Sequence, residues 1–279
     1  MKKISRRSFL AAAGLSVAAL ALTACGGSSA STASSVASSA ASSEAASTSA
    51  AAGELTTVEA GKLTMATNAA FPPYEMTTDA GEFEGIDVDT AKAIAEKLGL
   101  ELQIDDMDFD AALLSVQQGK ADIVMAGVTV TDERKAVMDF SDSYATGIQS
   151  IIVPNDSDIA SPDDLAGKTI GTQRGTTGYI YCSDDFGDEN VVAYDDGLTA
   201  VQALNNGQVD AVVIDNAPAQ EFVAANPGLK VLDTSYAEED YAIGMAKGSA
   251  LEDAVNKALE ELKADGTLQA IVDKYINAN

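Results

Sequence analysis

Two stretches of the chain follow the same pattern, and this repetition constrains the fold more than any other feature. Residues 115–127 read SVQQGKADIVMAG and residues 203–215 read ALNNGQVDAVVID. Each runs from a helix end through a glycine to an Asp three residues on, and then into an apolar strand. A shorter pair, GKLTMATN at 61–68 and GKTIGTQ at 167–173, repeats in the same order. The sequence therefore predicts two similar lobes.

From Leu55 onward, short apolar runs alternate with helical patterns, which is typical of an α/β fold with mainly parallel sheets. The expected strands lie at 63–66, 100–104, 121–126, 148–153, 169–172, 191–194 and 209–214, and the expected helices at 88–98, 111–118, 176–183, 197–206, 251–262 and 268–276. In such sheets ligands bind beyond the carboxyl ends of the strands. Asn68, Gly127, Gln173 and Asp215 occupy such ends, so we expect them to meet at one cleft.

The N-terminus has the three parts of an export signal. Residues 2–7 carry four positive charges, residues 9–22 are apolar but too short to span a membrane, and small residues precede Cys25. The cut site resembles a lipoprotein box, which predicts a signal peptide at 1–24 and a lipid on Cys25. SRRSFL at 5–10 also resembles a twin-arginine signal, so both this route and the general secretory route stay open.

Residues 26–53 are nearly all Ser, Ala, Thr and Gly, with nothing large to bury. We therefore expect a disordered tether over 25–54, starting at the lipidated cysteine. An Ala-rich helix is the alternative, disfavoured by the many Ser and Thr residues. The anchor predicts a protein held on the extracellular face of the cell membrane, or facing the periplasm where there are two membranes, with the lipid as its only membrane contact.

Composition excludes several classes of function. Cleavage removes four basic and no acidic residues, which moves the formal net charge from −26 to −30 and disfavours nucleic acid as a partner. The chain has no histidine, so a histidine-based triad or metal site is impossible. Beside Cys25 there is only Cys182, which excludes an intrachain disulfide after lipidation. Asp87 and Asp89 form a DxD pair that predicts a turn and helix cap, and we expect neither metal nor cofactor.

Residues 62–277 resemble the family 3 extracellular solute-binding proteins, the polar amino-acid receptors of ABC importers. The resemblance rests on GIDVD at 85–89, AGVTVTDERKAVMDFSDSY at 126–144, IGTQRGTTG at 170–178 and DAVVIDNAPA at 210–219. It implies a two-lobed periplasmic-binding-protein-like fold of type II, with two hinge strands. Lobe 1 would comprise residues 55–150 and 242–279, and lobe 2 residues 151–241. The crossings would lie near 151–153 and 241–244.

The resemblance also implies roles for individual residues. Arg134 would hold the ligand α-carboxylate, to which its planar fork of donors is suited, and Thr177 would donate its backbone N–H to the same group. Asp215 would pair with the ammonium; a helix cap is the alternative. The remaining implied contacts are Thr129 and Gly127 at the ammonium, Phe71 and Phe109 on either side of the ligand side chain, and Gln173 facing that side chain. Ala126 is also expected to contact the ligand.

Asn68 bears on specificity, because a neutral amide cannot neutralise a cationic side chain. With Gln173 opposite, the pattern favours a polar neutral ligand such as glutamine, while a basic amino acid stays open. We expect a monomer that closes over a free amino acid and delivers it to the permease subunits of an ABC importer, without enzymatic activity. The alternatives are a dehydratase-like enzyme of the same fold, with Glu75, Glu221 and Asp215 as acid–base candidates, and a ligand-sensing lipoprotein.

Overall fold

The computed structural model of the protein describes residues 55–276. The predicted signal peptide, Cys25 and the tether lie outside the described residues, as do residues 277–279. Within the described part, no helix is long and apolar enough to cross a membrane.

Strands and helices alternate along the described part. The strands are β1 (Lys62–Thr67), β2 (Ala70–Phe71), β3 (Glu75–Thr77), β4 (Phe83–Glu84), β5 (Glu101–Asp106), β6 (Ile123–Val124), β7 (Met138–Phe140), β8 (Ala145–Pro154), β9 (Ile170–Gln173), β10 (Val191–Tyr194), β11 (Ala211–Asp215), β12 (Leu229–Val231), β13 (Ala237–Tyr241) and β14 (Gly244–Ala246). The α-helices are α1 (Ile86–Leu98), α2 (Phe109–Gln117), α3 (Asp132–Val137), α4 (Thr177–Phe186), α5 (Gly197–Asn205), α6 (Asn216–Ala225), α7 (Glu252–Ala264) and α8 (Thr267–Tyr275). Short 3₁₀ helices lie at Pro162–Leu165 and Asp188–Asn190.

The first sheet has the strand order β5-β1-β6-β14-β7. Its first three strands are parallel, and β14 runs antiparallel to both β6 and β7. The expected strand at 121–126 is shorter than predicted, because only Ile123 and Val124 pair within it, although all six of its residues are buried. Its register sets Met65 beside both Ile104 and Ile123 in the centre of the sheet.

The second sheet has the order β10-β9-β11-β8-β12, and β13 pairs with β8. Strands β10, β9 and β11 are parallel, whereas β8 is antiparallel to β11, β12 and β13. The α/β fold class is confirmed, but both sheets are mixed rather than mainly parallel. The reason is that β8 and β14 each enter from the other sheet, without the helical crossover that parallel neighbours require.

The chain passes between the sheets twice, at 141–144 before β8 and at 242–243 before β14. The division into two lobes stays a prediction, but the strand pairing differs from its expected boundary. Residues 145–150, assigned to lobe 1 from the sequence, pair within the second sheet, where Ala145 lies opposite Tyr241. The first crossing therefore precedes the expected position at 151–153, because β8 is ten residues long and begins earlier than its apolar run.

Helices cover both faces of each sheet. On the first sheet, α1 packs with α7 and α8 on one face, and α2 covers β1 and β14 on the other. Val255, Ala258, Leu259 and Leu262 of α7 are buried on one face, as the helical pattern predicted. On the second sheet, α4 packs over β9, β10 and β11, while α5 and α6 lie against β8 and β11. Ends of parallel strands are thereby left open where the two sheets face each other.

A third, small sheet of β2, β3 and β4 was not expected from the sequence. Phe71 pairs with Glu75 across its first hairpin, and Met76 pairs with Glu84 across the second. Gly85 follows with a φ of 133°, in contact with the Tyr74 backbone, so a side chain at this position would clash. This close approach brings Glu75 beside the start of α1.

Candidate ligand-binding site

One cavity contains all ten residues predicted from the sequence to bind ligand. They are Asn68, Phe71, Phe109, Ala126, Gly127, Thr129, Arg134, Gln173, Thr177 and Asp215. Glu75 and Thr176 complete its lining.

The strand ends converge as expected. Asn68 follows β1, Gln173 ends β9 and Asp215 ends β11, while Gly127 lies three residues past β6. The side chains of Asn68 and Gln173 meet directly, since Gln173 Nε2 donates to Asn68 Oδ1 at 2.9 Å. Asn68 Nδ2 in turn donates to the Met107 carbonyl at 3.0 Å. This pair joins the first sheet to the second through an uncharged contact.

Arg134 lies inside the cavity rather than in solvent. Thr131 caps α3 by accepting the Arg134 backbone N–H at 3.1 Å, which leaves the Arg134 side chain free to turn inward. Its guanidinium donates to the carbonyls of Thr129 at 2.8 Å and Gly175 at 3.1 Å, and lies 5.3 Å above the Phe109 ring. Burial lowers its pKa, opposed first by Glu239. Since a guanidinium carries five N–H donors, it retains donors for a carboxylate.

Asp215 occupies the N-cap position of α6 but its side chain does not cap the helix. Instead, its Oδ2 accepts from Gln149 Nε2 at 2.9 Å, and no described residue donates to its Oδ1. Burial raises the pKa of Asp215 to about 7, and the nearby Glu239 adds to the shift. An ammonium group would supply the missing donor and lower that pKa.

Glu239 and Gln149 belong to the site but were missed from the sequence. Glu239 Oε2 accepts hydrogen bonds from Thr129 Oγ1 at 3.0 Å, Thr177 Oγ1 at 2.9 Å and Gln149 Nε2 at 3.1 Å. Thr129 lies between β6 and α3 and Thr177 begins α4, so this carboxylate of β13 links segments that follow strands of the two different sheets. One sequence feature could have identified Gln149: it is a polar residue within the apolar run of β8, and a polar side chain buried there needs a hydrogen-bond partner.

Glu75 is fully buried in the cavity wall, and neither of its carboxyl oxygens has a donor among the described residues. Burial, followed by the charge of Asp87, raises the pKa of Glu75 well above its usual range. Glu221, the other glutamate considered for acid–base chemistry, is exposed and lies outside this cavity.

Asp87 and Asp89 do not form the helix cap expected of them. The N-cap of α1 is Gly85, and no side chain caps this helix. Asp87 is buried, and its Oδ2 accepts the Gly127 N–H at 3.0 Å, which fixes the cavity floor. Asp89 accepts from Lys274 and Tyr275 at 2.7 and 2.9 Å, and so attaches α8 to α1.

The aromatic rings of Phe71 and Phe109 line the cavity. Phe71 is 6% exposed and stacks on Tyr74 with centroids 5.8 Å apart, while Tyr74 packs edge-on against Tyr241 at 5.3 Å. Phe71 also lies against Gly127, whose φ of 55° and close neighbours leave no room for a side chain. Tyr74 is therefore a packing residue behind the cavity wall.

The sequence profile of the bacterial extracellular solute-binding proteins, family 3, matches residues 63–278. The L-cystine-binding protein TcyJ of Escherichia coli (strain K12) is 33% identical over 225 residues, covering 79% of this chain and 85% of TcyJ. Among solved structures, the amino acid ABC transporter substrate-binding protein AbpA from Streptococcus pneumoniae, bound to L-arginine, superposes with a TM-score of 0.73 at 37% identity, covering 77% of this chain and 94% of AbpA.

An ancestral arginine-binding protein bound to glutamine superposes with a TM-score of 0.74 at 42% identity, covering 77% of this chain and 98% of that one. These proteins share the fold described above but are named for different amino acids. This chain belongs to the bacterial extracellular solute-binding proteins, family 3, and is the substrate-binding protein of an amino-acid ABC transporter.

Proposed function

We propose that the cavity captures a free amino acid with a cationic side chain, of which arginine is the model. The observation that carries this proposal is the Glu75 carboxyl, which is fully buried in the cavity wall without a donor among the described residues. A carboxyl buried in this way is costly to ionise, so it either keeps a proton or takes a cationic partner, which a ligand side chain would supply.

The charges around the cavity also favour a ligand with a cationic side chain. Two buried carboxyl groups, Glu75 and Asp215, line the cavity together with the buried Arg134 guanidinium. Two more buried carboxyls contact lining residues, Asp87 through Gly127 and Glu239 through Thr129. The carboxylate of an amino acid would take Arg134 and its ammonium would take Asp215. A neutral side chain would then leave Glu75 unmatched, whereas a guanidinium would match it with a bidentate pair.

The expectation of a neutral ligand rested on Asn68 and Gln173, and their contact offers no charge to the ligand. Glu75 changes the balance, because it places a carboxyl in the same cavity. Arginine-bound AbpA supports this choice, while the glutamine-bound ancestral protein shows that a related cavity admits a neutral amide. We therefore assign the preference to the cationic class and treat glutamine as the competitor.

Closure of the cleft over the ligand is part of the proposal. Three polar contacts already join the two sheets across the cavity: Gln173 to Asn68, Arg134 to the Gly175 carbonyl, and Thr129 to Thr177. A ligand that contacts Arg134 on one side and Asp215 on the other adds to these contacts only when the cleft is closed. The higher affinity of the ligand for the closed form would shift the protein from the open to the closed form.

The ligand leaves unchanged in this proposal. Glu75 and Asp215 have the raised pKa values that acid–base chemistry uses, but they also suit the binding of cations. Incubating the protein with arginine and with prephenate-like acids, followed by NMR of the small molecules, should show no product. A new product would favour the enzyme alternative.

Members of the family are extracellular or periplasmic, and a lipid on Cys25 would hold this one at the membrane. A single acyl chain binds membranes only marginally, so the anchor would carry at least two. The Cys25→Ala protein should be released from membranes into the medium or the periplasm. Its full retention on membranes would contradict the anchor.

Calorimetric titration with arginine, citrulline and glutamine tests the ligand class. Citrulline has the shape of arginine but a neutral ureido group, so it isolates the charge. We expect arginine to bind at least about tenfold more tightly than citrulline, equivalent to about 1.4 kcal/mol. Glu75→Gln should remove this preference, whereas Glu221→Gln, at an exposed glutamate, should retain it. Equal or tighter binding of citrulline to the wild type would refute the proposal.

A further inference from the structure

Glu75 of β3 and Asp87 of the first turn of α1 are neighbouring buried carboxyls, because the Asp87 N–H donates to the Tyr74 carbonyl at 2.8 Å. No described residue donates to either oxygen of Glu75, whereas Asp87 accepts the Gly127 N–H and lies beside the Tyr144 hydroxyl. The side chains of Glu75 and Asp87 lie within reach of a shared hydrogen bond. Two ionised carboxylates are both acceptors, so a hydrogen bond between them requires a proton on one of them. We propose that this pair holds one proton and releases it when a cationic ligand side chain enters the cavity, whereas a neutral side chain leaves the proton in place.

The proton belongs on Glu75 rather than on Asp87. Asp87 Oδ2 accepts the Gly127 N–H at 3.0 Å, which stabilises its ionised form. Both carboxyls are fully buried, but burial raises the pKa of Asp87 only to about 6, while that of Glu75 is raised well above its usual range. The free site therefore contains a neutral Glu75 that donates to Asp87.

The groups facing the pair are acidic or neutral on every side. Asp106 at the end of β5 and Asp215 at the end of β11 add negative charge near Glu75. Tyr144, just before β8, and Tyr74, just before β3, lie beside Asp87 with their own pKa values raised by burial. Tyr241 of β13 lies behind, next to Asp215 and Tyr74. These surroundings make a second ionised carboxylate unfavourable until a cation arrives.

The exchange is balanced in charge. A guanidinium stays protonated at any pH that the protein tolerates. When it enters, it takes the role of the proton as the partner of Glu75, and the proton passes to solvent. The carboxyl pair thus changes from one negative charge to two, and the ligand supplies the compensating positive charge. The preference for a cationic side chain then depends on pH, because each bound cation must displace a proton.

Asp215 is a second source of protons and must be separated from the pair. Its pKa is raised to about 7, and the ammonium of every amino acid would contact it, so protons released there accompany all ligands. Only protons released by the side chain distinguish arginine from citrulline. The relevant quantity is therefore the difference in proton release between these two ligands.

This inference rests on the proposed cationic ligand, and the experiment separates the two. Arginine and citrulline are titrated into wild-type protein at pH 7 in phosphate and in Tris, whose ionisation enthalpies differ, so that the observed heats report the protons released. We expect arginine to release about one proton more than citrulline. The ratio of their affinities should rise by up to tenfold per pH unit above about pH 6, where Asp87 is ionised and Glu75 holds the one remaining proton. Glutamine serves as a second neutral ligand.

Glu75→Gln keeps the shape of a protonated glutamate and has no proton to lose. It should abolish the difference in proton release and flatten the pH dependence of the ratio, while Glu221→Gln should leave both as in the wild type. Equal proton release for arginine and citrulline in the wild-type protein would overturn the shared proton while leaving a cationic ligand intact. Failure of arginine to bind at all would overturn the proposed ligand class and this inference with it. The wild-type comparison stands even if the Gln variant does not fold.

Discussion

Replacing Arg134 with Ala should abolish most ligand affinity. The guanidinium is 9% exposed and fixed by the carbonyls of Thr129 and Gly175, so it presents its remaining donors in one orientation. Truncating one partner of a buried charge pair costs about 2–5 kcal/mol. At 1.4 kcal/mol per factor of ten, this corresponds to a Kd raised roughly thirtyfold to several thousandfold. Arg134→Lys keeps the charge but loses the planar fork, and its Kd should lie between these values and that of the wild type.

Arg174→Ala provides the matched control at the rim of the same cleft. Arg174 is 56% exposed and makes one ion pair, to Asp195 at 3.5 Å. Exposed pairs contribute about 0–1 kcal/mol, so this variant should bind ligand within about fivefold of the wild type.

Isothermal titration with arginine measures these affinities, and urea unfolding without ligand separates loss of binding from loss of folding. The separation matters because removing Arg134 also takes a positive charge away from Glu239. Thermal shift gives a second measure, since a ligand at 100 times its Kd stabilises the folded state by about 2.7 kcal/mol. If folded Arg134→Ala binds arginine within fivefold of the wild type, Arg134 does not hold the ligand carboxylate.

Three further predictions follow from the described contacts. Asn68→Asp should raise the preference for arginine over glutamine by about tenfold in competition titrations. The substitution adds a carboxylate to the cavity and keeps the oxygen that accepts from Gln173. An unchanged ratio of the arginine and glutamine affinities would contradict this role of Asn68. Gly147→Ala should destabilise the protein by about 1–3 kcal/mol in urea, because its methyl group would overlap the buried Tyr241 ring. A midpoint equal to that of Gly228→Ala, where the added methyl meets open space, would count against this. The protein without ligand should lose stability as pH rises from about 5 to 8. The pKa values of Asp87 and Asp215 are raised to about 6 and 7, so the folded state binds more protons than the unfolded state over this range. A urea midpoint that rises with pH would show the sign to be wrong.

The repeated pattern predicted more of the site than any single residue did. It identified Gly127 and Asp215 as equivalent ends of two strands, and both lie in the cavity. Arg134 could not be distinguished from a solvated helix-start arginine by spacing alone, and its guanidinium is held inward by the carbonyls of Thr129 and Gly175. The structure therefore brings the predicted residues together, while their roles in binding stay predictions.

The residues that were missed share a physical reason. Gln149 and Glu239 are polar side chains within strands, where alternation shows which face a residue occupies but not whether that face lines a cavity. Glu75 was considered only for acid–base chemistry, because its burial depends on the approach of Gly85 to the Tyr74 backbone. Such burial depends on contacts between residues distant in sequence, and these contacts cannot be predicted from local sequence patterns.

The mixed strand directions had no local signature either. β8 and β14 are apolar runs like the parallel strands beside them. Their direction follows from the two passages between the sheets, which are only four and two residues long, SDSY at 141–144 and AI at 242–243. The alternation of strand and helix patterns along the sequence therefore predicts the fold class but not the direction of every strand.

The position of β14 has a consequence for the order in which the protein can assemble during synthesis. Strand β7 pairs only with β14 within the described part of the chain, and β14 lies between β6 and β7 in the first sheet. About a hundred residues, including all of the second sheet, are made between β7 and β14. A nascent chain that ends before Gly244 therefore lacks the strand that joins the two parts of the first sheet, and its β6 and β7 edges stay unpaired. The N-terminal half becomes complete only when nearly the whole polypeptide is available, so this topology favours folding after synthesis over folding in step with it.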